Sequence, residues 1–123
     1  MLSEKMVFNI AGLYINIESS RRLVYYYCKS FLCDEYPYID FSVKVTDEEI
    51  YAELPDGYTP QNASKRALLA SELSAIYRKI CEKILEYDAF LMHGALIEYE
   101  GKGYLFTAKS GTGKTTHINL WQK

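Results

Sequence analysis

A short glycine-containing run near the end of the sequence constrains the fold of this chain more than any other feature. The run at 108–115 reads AKSGTGKT; a β-prone stretch at 104–107 precedes it, and residues 115–118 suit a helix start. Strand, glycine-bearing loop and helix, in that order, are the context of the Walker A phosphate-binding loop, in which Ala108 here replaces the first glycine. The alternative is an ordinary turn that caps a helix, but the Lys-Thr pair at the required offset favours the phosphate-binding loop.

Each position in the run has a chemical role in the predicted loop. Gly111 and Gly113 tolerate positive φ, so that successive N–H groups can curl around an anion. We expect Lys114 to contact the β- and γ-phosphates of ATP, the Thr115 hydroxyl to bind Mg²⁺, and Thr116 to contact the α-phosphate. The predicted binding residues are Ser110, Gly111, Thr112, Gly113, Lys114, Thr115 and Thr116, with ATP and Mg²⁺ as cofactors and Thr115 as the metal ligand.

Composition indicates an ordinary globular protein of one domain. Apolar residues make up 49% and charged residues 24% of the chain, and the net charge of −2 provides no basic field for nucleic acid. Neither a membrane-length apolar run nor a signal-peptide core is visible, so we expect a cytoplasmic protein. The three cysteines, an odd number without metal-ligand spacing, are interpreted as buried or half-buried thiols, and most of the twelve tyrosines are expected to pack in a mixed core.

The leading part of the sequence predicts a mixture of strands and helices. Residues 7–17 read as two short strands or one bent strand, and residues 25–32 could form either a helix or a strand. Strict alternation over 39–45 predicts a half-buried strand. Residues 46–49 are interpreted as a turn, after which 50–54 would return as a partner strand.

One long helix is predicted over residues 63–86, capped by Asn62 or Ser64. Its other face, which includes Glu72, is interpreted as solvated. The predicted apolar stripe consists of Leu68, Leu69, Leu73, Ile76, Tyr77, Ile80 and Ile84.

A β-hairpin is predicted to enter the phosphate-binding loop. Its strands are 95–99 and 104–107, and the residues between them form a tight turn. The predicted fold is therefore α/β, with a mixed sheet, an antiparallel hairpin leading into the phosphate-binding loop (P-loop), and one long helix. We expect one domain over 1–123, in which 1–89 is a variable leading portion and 90–123 carries the hairpin, the loop and the helix start.

Three runs in the last part of the chain resemble the HPr kinase family, which shares a nucleotide-binding fold with the phosphoenolpyruvate carboxykinases. They are MHGALI at 92–97, GKGYLF at 101–106 and SGTGKTT at 110–116, and the resemblance covers about 90–121. It implies a kinase, a transferase that moves a phosphoryl group from ATP, with Mg²⁺, to a hydroxyl of a protein serine or a small molecule. It also implies that His93 is catalytic, because His93 matches a family histidine near the transferred phosphate.

The resemblance stops before the family's downstream acidic residues, which hold metal and act as base. We therefore expect an incomplete, truncated nucleotide-binding domain that is inactive alone, with an unpaired strand edge that favours a homo-oligomer. Two alternatives stay open: a non-catalytic ATP-binding module, and a fragment of an ABC-type ATPase, which fits the His93–Gly94 pair less well. The donor, ATP or pyrophosphate, also stays open.

Overall fold

The computed structural model describes residues 6–19 and 22–121, and it is mixed α/β with two small sheets and one long helix. The chain divides into two compact units, Met1–Asp88 (the N-terminal unit) and Ala89–Lys123 (the C-terminal unit). Among the described residues, no helix is both long and apolar enough to cross a bilayer.

The sheet of the N-terminal unit has three strands in the order β1-β2-β3. Strands β1 (Met6–Ile10) and β2 (Leu13–Glu18) pair antiparallel, so residues 7–17 form two strands rather than one bent strand. The turn between them uses positive φ at Ala11 and Gly12 (54° and 84°), a pattern that suits a tight hairpin.

Strand β3 (Phe41–Lys44) lies parallel to β2, and its buried–exposed alternation agrees with the predicted half-buried strand, although it is shorter. Parallel neighbours require a crossover connection. Helix α1 (Arg22–Cys28) and a 3₁₀ turn (Lys29–Phe31) lie in this crossover, so the ambiguous stretch at 25–32 is mainly helical.

Residues 47–52 form a helix, α2 (Asp47–Ala52), so the predicted return strand at 50–54 is wrong. The cause is a capping box: the Thr46 hydroxyl accepts from the Glu49 N–H at 3.3 Å, and the Glu49 carboxylate accepts from the Thr46 N–H at 2.8 Å.

Hydrogen bonds from Lys79 and from Thr46 lower the pKa of Glu49. Because the pKa of Glu49 is lower in the folded protein, its ionised carboxylate stabilises the fold at pH values above the ordinary pKa of a glutamate. This stabilisation is lost as the pH falls through the folded-state pKa.

The long helix α3 (Lys65–Lys83) continues into a 3₁₀ turn at Ile84–Tyr87, and the Ser64 side chain caps its start by accepting from Ala67 N–H at 3.1 Å. Two predictions about its faces are wrong. Tyr77 is 53% exposed, whereas Glu72 is buried and its carboxylate accepts from the Ser19 hydroxyl at 2.8 Å.

The hydrophobic core lies entirely in the N-terminal unit as far as the structure describes the chain. Aliphatic side chains and two phenylalanines fill it, so the predicted tyrosine-rich core is wrong. The buried apolar residues are Val7, Phe8, Ile15, Ile17, Val24, Phe41, Val43, Ile50, Leu69, Ala75, Ile76, Ile80 and Ile84. Ten of the twelve tyrosines are exposed, which keeps their hydroxyls in water.

The C-terminal unit consists of the predicted hairpin and one helix. Strands β4 (Ala95–Tyr99) and β5 (Lys102–Phe106) pair antiparallel around a two-residue turn with positive φ at Glu100 and Gly101. The hairpin prediction is confirmed, although β5 starts and ends earlier than expected. The two strands form a sheet of their own.

Trp121 joins helix α4 (Lys114–Trp121) to the hairpin. Its ring centroid lies 5.8 Å from that of Tyr99, 5.6 Å from Tyr104 and 6.1 Å from Phe106. Its indole N–H donates to His117 Nε2 at 3.2 Å, and the His117 ring contacts Phe106 at 4.7 Å. These ring contacts hold α4 against the face of the hairpin that bears Tyr104 and Phe106.

Removing the Thr46 cap tests the physical cause of helix α2. Thr46→Ala should lower the free energy of unfolding of the N-terminal unit by about 1 kcal/mol, because the Glu49 N–H loses its acceptor. Urea unfolding followed by circular dichroism at 222 nm measures this change. Thr59→Ala is the matched control, since the hydrogen bonds of Thr59 in the described part of the chain involve only its backbone atoms. Equal losses of unfolding free energy in the two variants would contradict the capping role of Thr46.

The two units should unfold at different denaturant concentrations. No residue from 89 to 121 is buried, so hydrophobic burial stabilises the C-terminal unit far less than the N-terminal unit. Trp121 is the single tryptophan of the chain, and its ring contacts the hairpin of the C-terminal unit. Its fluorescence should change at lower urea than the helical signal of α3, and coincident transitions would show that the chain unfolds as one cooperative body.

Candidate phosphate-binding site

The register of the hairpin brings His93 and the glycine loop (residues 107–113) to the same end of the sheet. Ala95, the first residue of β4, pairs with Phe106, the last residue of β5. His93 precedes Ala95 by two positions, and the loop starts directly after Phe106. Antiparallel pairing therefore places both features at one edge, in agreement with what the family resemblance implied for His93.

Gly94 allows this close approach. A Cβ built at Gly94 would lie 2.8 Å from Leu105 Cδ1 and 3.2 Å from the carbonyl oxygen of Phe106. The second contact is with backbone, which cannot move without disturbing β5. A side chain here would need the Leu105 side chain to turn away and the Phe106 carbonyl group to shift slightly, so glycine suits this tight packing, a feature that the motif alone did not reveal.

The glycine loop follows a path that only glycine adopts readily at two positions. Gly111 and Gly113 have φ values of 84° and 92°, and a Cβ at either would point into open space. Glycine is thus needed here for its backbone conformation and not for lack of room. Between them, the Thr112 hydroxyl donates to the carbonyl oxygen of Lys109 at 2.7 Å and closes the loop.

Successive backbone N–H groups at the end of the loop lack a protein acceptor. The first hydrogen bond of α4 runs from the His117 N–H to the Gly113 carbonyl oxygen at 2.9 Å. Within 6–19 and 22–121, no acceptor takes the N–H groups of Gly113, Lys114, Thr115 or Thr116. Unpaired N–H groups at a helix start, together with the positive end of the helix dipole, can bind an anion.

The Lys114 side chain folds back over the loop. Its ammonium group donates to the carbonyl oxygens of Ala108 at 2.7 Å and Lys109 at 3.1 Å, and the residue is half-buried. These two neutral acceptors hold a positive charge beside the unpaired N–H groups. Phosphate contact by Lys114 stays a prediction, and the sequence did not reveal these carbonyl contacts.

Thr115 is the residue of the site that suits Mg²⁺. It is exposed in the first turn of α4, and its hydroxyl forms no hydrogen bond in the described part of the chain. The described residues contain no cluster of three His, Cys, Asp or Glu side chains able to hold a metal. A magnesium ion that takes most of its ligands from phosphate and water would need one such hydroxyl, so Thr115 fits this group.

The acidic residues of the C-terminal unit lie away from the loop. Glu98 and Glu100 are its two acids, and they stand near the hairpin turn. A strand rise of about 3.4 Å per residue puts them roughly 10 to 17 Å along the hairpin from Ala95. With four lysines, the C-terminal unit carries a net charge of +2, although the whole chain carries −2.

The three cysteines are half-buried, as predicted. Burial raises the pKa of the Cys28 thiol, which keeps it protonated and a poor nucleophile at neutral pH. The Cys33 thiol donates to the carbonyl oxygen of Glu35 at 2.8 Å.

The loop, its lysine, its threonine and His93 are thus brought to one end of the hairpin, and the aromatic cluster that contains His117 lies on the face of the hairpin that packs against α4. Comparison with protein-family models, with curated proteins and with solved structures returned no match to this chain.

Proposed function

We propose that this chain is the ATP-binding portion of an HPr kinase-like phosphotransferase, which moves a phosphoryl group from ATP to a hydroxyl of a protein or a small molecule. The observation that carries the proposal is the combination of unpaired N–H groups from Gly113 to Thr116 with the Lys114 ammonium. Together they form a concentrated set of donors that a triphosphate can satisfy and that a simple helix cap does not need.

Phosphate binding would change the partners of Lys114. The ammonium would exchange two neutral carbonyl acceptors for phosphate oxygens that carry negative charge. Hydrogen bonds with a charged partner on both sides are stronger than those with a neutral acceptor. The β- and γ-phosphates would therefore draw Lys114 away from Ala108 and Lys109, and the loop N–H groups would surround the same phosphates.

The Thr115 hydroxyl would complete the phosphate site by binding Mg²⁺. Bound Mg²⁺ bridges β- and γ-phosphate oxygens and neutralises the charge that develops during transfer. Thr115 would hold the ion beside the phosphates that the loop binds, and the next residue, Thr116, would contact the α-phosphate.

His93 supports the transferase assignment. It is exposed at the loop end of the hairpin, and its imidazole forms no hydrogen bond in the part of the chain that the structure describes. An imidazole at this position can polarise the transferred phosphate or assist removal of a proton from the acceptor hydroxyl. A serine on a protein is the acceptor that the family resemblance favours.

A second candidate is a nucleotide-binding module without transferase activity. The position of Glu98 and Glu100 near the hairpin turn favours it, because phosphoryl transfer needs a carboxylate for the metal or as base. The module would bind ATP through the same loop residues.

Substitution of Lys114 tests nucleotide binding by either candidate. Lys114→Ala should weaken binding of Mg²⁺-ATP by about 10- to 100-fold, because a hydrogen bond to a charged group contributes about 1.5–3 kcal/mol. Isothermal titration calorimetry measures the change. Lys102→Ala removes an equal charge at the far end of β5 and should leave the affinity within about twofold; the same affinity in all three proteins would refute the proposal.

Substitution of His93 separates the two candidates. Turnover by the chain should be slow, since Thr115 is the metal ligand that the described loop offers. For a transferase, release of labelled phosphate from ATP, or its transfer to a serine-bearing protein, should fall at least about tenfold in His93→Gln while ATP affinity is retained. If the wild-type protein binds ATP but turns it over no faster than Lys114→Ala, which serves as the background, the chain is instead the non-catalytic module.

A further inference from the structure

The N-terminal unit has a groove along the outer edge of β1, which we call the tyrosine groove. It has a volume of about 430 Å³ and is lined by Met6, Tyr25, Leu32, Cys33, Asp34 and Tyr36, together with part of β1. This volume lies in the range of ligand-binding clefts and is large enough for one long side chain and the backbone next to it.

Backbone pairing fixes the floor of the tyrosine groove. Phe8 and Leu32 form an antiparallel bridge, and the Cys33 N–H donates to the carbonyl oxygen of Val7 at 2.8 Å. The Cys33 thiol then donates to the Glu35 carbonyl oxygen and holds the turn that carries Asp34. The segment that leads from Leu32 to Tyr36 is therefore held against β1.

Aromatic rings are unusually exposed around the tyrosine groove. Tyr25 and Tyr36 are each 39% exposed, and neither ring takes part in a ring–ring contact in the described part of the chain. The exposed aromatic residues between positions 25 and 38 are Tyr25, Tyr26, Tyr27, Phe31, Tyr36 and Tyr38. Two of these rings, Tyr25 and Tyr36, line the same groove, and neighbouring exposed rings mark an interaction surface more often than a single exposed ring does.

The charges of the tyrosine groove favour a cationic partner. Asp34 and Glu35 are exposed, and neither carboxylate forms an ion pair or a hydrogen bond within the described residues. Carboxylates elsewhere in the unit do pair: Glu49 with Lys79 at 2.8 Å and Glu53 with Arg78 at 2.7 Å. The N-terminal unit has fourteen acidic and ten basic residues, a net charge of −4.

We propose that the tyrosine groove binds an extended segment of a partner protein that carries arginine. A guanidinium group between Tyr25 and Tyr36 can stack on a phenol ring and pair with the Asp34 carboxylate at the same time. The free carboxylates would repel an anionic membrane surface, which is the other surface that exposed aromatic residues often contact. This proposal concerns the N-terminal unit alone and does not depend on nucleotide binding.

Fluorescence anisotropy with two labelled peptides tests the proposal. One peptide alternates arginine with proline, and the other has glutamate in place of each arginine. The arginine peptide should bind, and Asp34→Asn and Tyr36→Ala should each weaken binding by about three- to tenfold. Glu48→Gln and Tyr58→Ala, which change an exposed acid and an exposed tyrosine outside the groove, should leave binding unchanged.

Circular dichroism of each variant establishes that the fold is retained. Added salt should weaken binding of the arginine peptide, because part of the attraction is between exposed charges. Three results would overturn the proposal: equal binding of the two peptides, equal effects of groove and control substitutions, or binding confined to phosphatidylserine vesicles.

Discussion

The pairing of Ala95 with Phe106 is the contact on which the candidate site depends. It sets the register of β4 and β5, and that register brings His93 to the end of the hairpin where the glycine loop begins. Gly94 eases the approach, because a Cβ there would lie only 3.2 Å from the Phe106 carbonyl oxygen. A shift of one residue would send His93 to the other face of the hairpin and separate it from the loop.

The two units differ in how they are held together. The N-terminal unit buries aliphatic side chains between α3 and a three-stranded sheet, whereas no described residue of the C-terminal unit is buried. Ring contacts of Trp121 and the hairpin hydrogen bonds hold the C-terminal unit together. A two-stranded hairpin with one short helix is marginal by itself, so ligand binding to the loop would contribute a large share of its stability.

The elements that the sequence predicted well have strong local signals. The hairpin has a two-residue turn with glycine at its second position, and α3 has a serine cap and a sustained apolar stripe. The helix at 47–52 was missed because the capping-box residues at 46–49 were interpreted as a turn between two strands. Burial of Glu72 and exposure of ten tyrosines could not be read from periodicity, since both depend on which other side chains fill a small core. At the site, residue type and spacing predicted the glycine loop, and the family resemblance implied a histidine near it, but neither the packing of Gly94 nor the carbonyl contacts of Lys114 could be read from the sequence.

Amide chemical shifts recorded during a titration with Mg²⁺-ATP test the central claim most directly, because each backbone N–H of the loop has its own signal. If the loop binds phosphate, the largest shifts should fall on Gly111, Gly113, Lys114, Thr115 and Thr116, whose N–H groups lack acceptors among the described residues. They should be absent with adenosine, which has no phosphate. Shifts of equal size with adenosine, or shifts centred elsewhere in the chain, would contradict the account.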